Sequence, residues 1–169
     1  MNAKTDHRAP IIAADAPPRA RPSTYPKAVQ AMLGARLSGR TKRPLGDLYG
    51  LTNFGINLTN LAPGAASSLR HAHLLQDEFV YVIQGTPTLY TDSGGTVLRP
   101  GMCVGFKAGD GEAHCFRNES PAEVVLLDVG DRTPGDTATY PDDDLRARVE
   151  AGGWVFTHKD GSAFLEPAP

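Results

Sequence analysis

From Phe54 onward the chain is cut into short apolar runs by Pro63-Gly64, Gln84-Gly85, Ser93-Gly94-Gly95, Pro100-Gly101 and Gly109-Asp110-Gly111. Within the runs apolar residues recur at every second position, as in Phe54, Ile56 and Leu58 alternating with Asn53, Gly55, Asn57 and Thr59. A period of two is the spacing of a half-buried β-strand, because successive side chains leave opposite faces of a pleated backbone. SSLRHAH, EFVYVI, PTLYT, TVL, MCVGF, AHCFRN and AEVVLLDV read the same way. About eight short strands with tight turns predict an all-β barrel or sandwich.

The flanks differ. Residues 1–25 are rich in Ala, Pro, Arg and Asp without sustained periodicity and predict an N-terminal arm, flexible or docked on a second subunit. From Pro26, Val29, Met32 and Leu33 fall at helical spacing and predict a short helix. Asp142-Asp143-Asp144 predicts the cap of another over Leu145–Glu150, with WVFT as a last strand. Residues 26–169 are expected to form one domain. A formal net charge of -2 offers nucleic acid no attraction. The sequence has no apolar stretch of about 18 residues to span a bilayer and no apolar signal segment, so a cytoplasmic protein is expected. In that compartment Cys103 and Cys115 are expected as thiols.

His71 and His73 stand two apart in a strand-like run, which aims both imidazoles at one side of the sheet. Glu78 opens EFVYVIQG with Val80 and Val82 on its face and Phe79, Tyr81 and Ile83 on the other. A turn between the two runs returns Glu78 to the histidine pair. His114 begins a further run with Phe116 on its own side and supplies a third imidazole. Three neutral imidazoles and a carboxylate suit a divalent first-row metal, with affinity expected to fall below about pH 6 as the imidazoles protonate. Asp77 is expected to point outward. Val80, Val82, Phe116, Phe54, Ile56 and Leu58 are candidate pocket walls. Arg70, Lys107 and Arg117 are read as surface charges that could meet a carboxylate at the barrel mouth, and Tyr81 and Tyr90 as packing residues. Beyond the ligands, the strand faces offer no evident general acid or base.

GAASSLRHAHLLQDEFVYVIQG resembles the first motif of the cupin superfamily, G(X)5HXH(X)3,4E(X)6G, and RPGMCVGFKAGDGEAHCFRN resembles the second, G(X)5PXG(X)2H(X)3N. Six residues rather than five separate Gly64 from His71, Lys107 stands at the proline position, and four residues rather than two lie between Gly109 and His114. The likeness is strongest over residues 50–130, and LGDLYGLTNFGINL and YPDDDL beside it are similar to segments of bacterial single-domain cupins. The resemblance implies a double-stranded β-helix (jelly-roll) barrel with short peripheral helices. It also implies iron, manganese, nickel or zinc on His71, His73, Glu78 and His114, with a position open for a small polar organic ligand. The implied activities are of the dioxygenase, decarboxylase or isomerase type; a non-catalytic binder or sensor is the alternative. A homodimer is expected, with sheet edges and the arm covered by the second subunit.

Overall fold

The computed structural model describes residues 9–20, 23–33, 35–151 and 153–164. Among them, twelve strands run in chain order: β1 Arg40–Pro44, β2 Phe54–Leu61, β3 Ala72–His73, β4 Glu78–Gln84, β5 Thr88–Thr91, β6 Gly94–Val97, β7 Cys103–Phe106, β8 Cys115–Arg117, β9 Val124–Asp131, β10 Thr137–Tyr140, β11 Leu145–Glu150 and β12 Gly153–Thr157. Helices α1 Lys27–Leu33, α2 Ala35–Ser38 and α3 Leu45–Leu48 are short and peripheral. The expected helix after Pro26 is present and buries Val29, while the side chains of Met32 and Leu33 lie outside the described residues.

Antiparallel pairing builds one sheet in the order β1-β2-β9-β4-β7, a second in the order β12-β11-β10-β3 and a third in the order β6-β5-β8. The helix expected over Leu145–Glu150 is strand β11 instead. Leu145 and Ala147 are buried while Arg146, Arg148 and Glu150 face solvent, so the segment's own period of two outweighs the acidic cap signal.

Directly paired residues share a face, and the register of the first sheet therefore defines rows. Lys42, Thr59, Leu126 and Val82 form one row; Asn57, Asp128, Val80 and Val104 the next; Gly130, Glu78 and Phe106 the next. Val82 and Leu126 are buried, so this is the interior face, and Glu78 belongs to it as expected. Phe54, Ile56 and Leu58 do not. Ile56 and Leu58 share rows with Phe79 and Tyr81, which are 42% and 39% exposed, and Phe54 is 40% exposed. The interior face of β2 carries Asn57, Thr59 and Leu61. Thr59 is fully buried there because its hydroxyl donates to Asp128 Oδ2 at 2.7 Å.

Two apolar clusters fill the interior. One joins Leu61, Val80, Val82, Leu89, Phe116 and Leu126. The other packs Tyr25, Val29 and Leu37 against Tyr140, Leu145 and Ala147. Gly85, which closes β4, has φ +81°, and a Cβ there would lie 2.6 Å from the Glu123 carbonyl oxygen. The motif's asparagine, Asn118, is a fully buried staple: its amide donates to the carbonyls of Leu61 (2.8 Å) and Ala122 (2.7 Å), and its oxygen accepts from Ser120. The described part of the N-terminal arm lies on its own chain. Ala16 is buried, and the Arg19 amide donates to the Lys42 carbonyl at 2.8 Å.

Candidate metal centre

His71 and His114 face each other across an antiparallel bridge, each amide donating to the other's carbonyl at 3.1 and 2.8 Å. The longer spacing before His114 is absorbed in the turn, where Gly109 and Gly111 both take positive φ, so the histidine keeps its register. His73 is paired with Ala138 on β10, and Glu78 opens β4 on the interior face.

The four side chains meet at one atom. Glu78 Oε2 lies 3.0 Å from His114 Nε2 and 3.7 Å from both His71 Nε2 and His73 Nε2. The candidate ligand atoms of His71, His73 and Glu78 all lie within 4.8 Å of one another. Glu78 Oε2 is buried and receives no aligned hydrogen bond, the 3.0 Å approach of His114 included. A buried carboxylate oxygen without a donor, ringed by ring nitrogens, fits a divalent cation that takes N and O ligands.

Two tautomers are fixed from behind. His71 Nδ1 donates to the Leu69 carbonyl at 2.9 Å, and His73 Nδ1 donates to Asp136 Oδ2 at 2.6 Å. In each case the proton sits on Nδ1 and the Nε2 lone pair faces Glu78, the form a metal needs. Asp136 is fully buried, and its other oxygen accepts from the amides of Leu74 (3.1 Å) and Leu75 (2.7 Å). His114 is held by stacking on Phe106, ring centroids 3.4 Å apart, and its Nδ1 has no hydrogen-bond partner. Burial pushes the His71 imidazole down to about 4, against the opposing pull of Glu78. This ring therefore stays neutral well below the pH 6 threshold expected for the site. For Glu78 burial acts upward, but the surrounding imidazoles, His114 first and then His71 and His73, outweigh it and hold the carboxyl far below the usual range.

The centre opens on a cavity of about 500 Å³, within the range of small-molecule sites. Val80 and Phe116 line it as expected, together with Leu126, Tyr140, Trp154 and Phe156.

The cupin domain family matches residues 57–130. A solved structure described as a sugar phosphate isomerase from the cupin superfamily, from Silicibacter pomeroyi, is 46% identical, covers 85% of this chain and 88% of its own, and superposes with a TM-score of 0.78. The chain belongs to the cupin superfamily. A structure described as a putative sugar phosphate isomerase, from Acidithiobacillus ferrooxidans, is 31% identical to this cupin over 76% of the chain and 81% of its own, with a TM-score of 0.67. The polyketide cyclase RemF from Streptomyces resistomycificus, 21% identical over 73% of the chain and 78% of its own at a TM-score of 0.58, shares the fold. None of the curated proteins compared matches.

This cupin holds functional candidates that the sequence reading missed. Asp136 behind His73 is one. Another is Asp128, whose Oδ2 accepts from Thr59 and lies 3.2 Å from Lys42 Nζ, while its Oδ1 is buried without a hydrogen-bond partner. The cavity's cations are Arg19, Arg40 and Lys42. A signal existed for two of them, since Arg40 and Lys42 stand two apart in RTKRP. Arg70 is turned to Asp92 and Asp142 at the surface, Arg117 covers the Tyr90 ring, and Lys107 does not line the cavity of about 500 Å³. Tyr81 lies on the outward face and the Tyr90 hydroxyl donates to Glu119 at 2.7 Å. Asp77 is exposed as expected and accepts from the Ala108 amide. Cys103 and Cys115 are free thiols. No helix among the described residues is long and apolar enough to cross a membrane.

Proposed function

We propose that this cupin is a cytoplasmic, metal-dependent isomerase of a small phosphorylated sugar, with the metal on His71, His73, Glu78 and His114. The observation that carries the reading is Asp128: a carboxylate with one buried, donor-free oxygen in the wall of the same cavity as the His/Glu cluster. Asp128 lies opposite Val80, two residues from Glu78 on the same interior face, so their Cα levels differ by about 7 Å along the strand. That separation suits a substrate whose oxygens meet the cluster while its carbon chain passes the carboxylate. The two relatives described as sugar phosphate isomerases, at 46% and 31% identity, support the substrate class.

When bound, a divalent ion would polarise the substrate carbonyl and offset the negative charge that develops on its oxygen. Asp128 takes the proton from the hydroxyl-bearing carbon next to the carbonyl and returns it to the former carbonyl carbon, while the hydroxyl proton passes from one oxygen to the other, the net change of an aldose–ketose interconversion. Thr59 and Lys42 hold its Oδ2, and Oδ1 is left without a donor. Tyr140 and Tyr25 remain protonated, since burial raises both phenols, and they hydrogen-bond to each other, so one hydroxyl proton of the pair is left for a sugar oxygen. The apolar walls exclude water from the reacting carbons.

The test is proton NMR in D2O with the metal-loaded chain and a panel of phosphorylated aldoses and ketoses of three to six carbons. Metal-dependent conversion with solvent deuterium entering at the carbon next to the carbonyl is expected, and Asp128→Asn should abolish it while keeping the metal. No exchange with any member of the panel would refute the isomerase. Tight binding without exchange would leave the non-catalytic binder. The homodimer is likewise a proposal, and the apolar outer face with Phe79, Tyr81 and Ile83 is the surface a second copy would cover.

A further inference from the structure

The cavity wall carries more positive charge than its folded structure uses. Arg19, Arg40 and Lys42 face two carboxylates, Glu78 and Asp128, and Glu78 is committed to the imidazole cluster. Lys42 is paired with Asp128 at 3.2 Å. Arg70, Arg132 and Arg148 are paired with carboxylates elsewhere, whereas Arg19 has no carboxylate partner among the described residues. A half-buried guanidinium without a carboxylate costs desolvation that a bound anion would recover.

The fold brings these groups together deliberately. Arg40 and Lys42 share one face of β1 by their period of two. Arg40 is oriented by donating from Nη1 to the Ser67 carbonyl. Arg19 comes from the N-terminal arm, which is fixed at this point by the hydrogen bond from its amide to the Lys42 carbonyl and just upstream by buried Ala16. Burial lowers the Arg40 pKa from its ordinary value, and the like charge of Arg19 lowers it further against the pull of Tyr25 and Asp128. The two guanidiniums are thus held close enough for each to feel the other's like charge.

We infer that Arg19, Arg40 and Lys42 form a subsite for the phosphate monoester of the substrate, and that the N-terminal arm is a working part of the site because it supplies Arg19. For the identity of the sugar this rests on the isomerase reading; for the phosphate it stands on the cation cluster. Two planar guanidinium forks and an ammonium match the three terminal oxygens of a phosphate dianion. Lys42 joins the subsite to Asp128 and so ties phosphate binding to the position of the carbon chain.

The experiment is isothermal titration of the full chain with inorganic phosphate, with and without EDTA. Saturable binding that survives EDTA is expected. Arg19→Gln should weaken it roughly ten- to hundredfold, the loss of one charge-assisted contact, with metal content and circular dichroism unchanged. Arg19→Lys should recover part of the affinity. Absence of binding, binding indifferent to Arg19→Gln, or binding that disappears with EDTA and so belongs to the metal would each overturn the inference. Phosphate binding of the expected kind without turnover of any sugar phosphate would sink the isomerase and leave the subsite. Turnover with a KM untouched by Arg19→Gln would do the reverse.

Discussion

Replacing Asp136 by Asn changes one atom type at the back of the candidate centre, and the structure dictates where the damage falls. Asp136 Oδ1 accepts from two backbone amides, Leu74 and Leu75, which cannot turn away. The asparagine oxygen must take that position, and its NH2 group is then aimed at His73 Nδ1, now 2.6 Å from a carboxylate oxygen. Two donors cannot share that contact, so Nδ1 has to become the acceptor and the ring proton moves to Nε2, the nitrogen 3.7 Å from Glu78 Oε2. A protonated Nε2 has no lone pair for a metal. Affinity should fall about 10- to 100-fold, or about 1.4–2.7 kcal/mol, the usual penalty for losing the carboxylate behind a ligating histidine. The metal-free fold should lose about 1–3 kcal/mol, since a charge-assisted hydrogen bond is exchanged for a neutral one in a fully buried position. Competition with a chromophoric chelator measures the first quantity and urea denaturation of the EDTA-treated protein the second. Wild-type metal affinity in Asp136→Asn, with the fold weakened as expected, would refute the tautomer argument and leave Asp136 a purely structural anchor.

Other outcomes follow from the same geometry. Purified protein should carry close to one first-row metal per chain, and His73→Ala should lower that content sharply; elemental analysis showing a metal-free wild type after gentle purification would end the metal reading. His71 has a folded pKa of about 4 against about 6.5 unfolded, so the unfolded chain binds a proton that the folded one refuses. Metal-free stability should therefore be full above about pH 6.5 and decline by up to about 3 kcal/mol as pH falls to about 4, a slope that His71→Asn should flatten in denaturant titrations. Gly85→Ala combines an unfavourable φ of +81° with backbone 2.6 Å away and should cost at least about 2 kcal/mol by thermal melting, whereas the same change at open Gly135 should cost less. Light scattering should report a dimer that Phe79→Glu disrupts; a wild-type monomer would remove the second copy from the reading.

The repeated period of two made the strands legible, and with them the common direction of His71 and His73 and the interior position of Glu78. The match to both cupin motifs carried the topology, and His114 keeps its register despite the longer turn because glycines absorb the extra residues. Alternation also had limits. It separates two faces of a strand without saying which one is inside, and β2 carries apolar residues on both, so Phe54, Ile56 and Leu58 read as pocket walls when Asn57, Thr59 and Leu61 face inward. The choice was made by Asp128, on a neighbouring strand 69 residues away, which gives Thr59 a buried partner.

By itself, then, the sequence determined the local periodicity and the spacing of the four candidate ligands, because both follow from backbone geometry within a few residues. Tertiary structure alone decided which groups stand behind and beside them. Asp136 reaches His73 across 63 positions, Asp128 meets Lys42 across the intervening strand β2, and Arg19 joins the cavity from an arm with no periodicity of its own. Such partners are chosen by proximity in the folded chain, where a buried charge or hydrogen-bonding group must find its complement wherever the sheet's register happens to supply it.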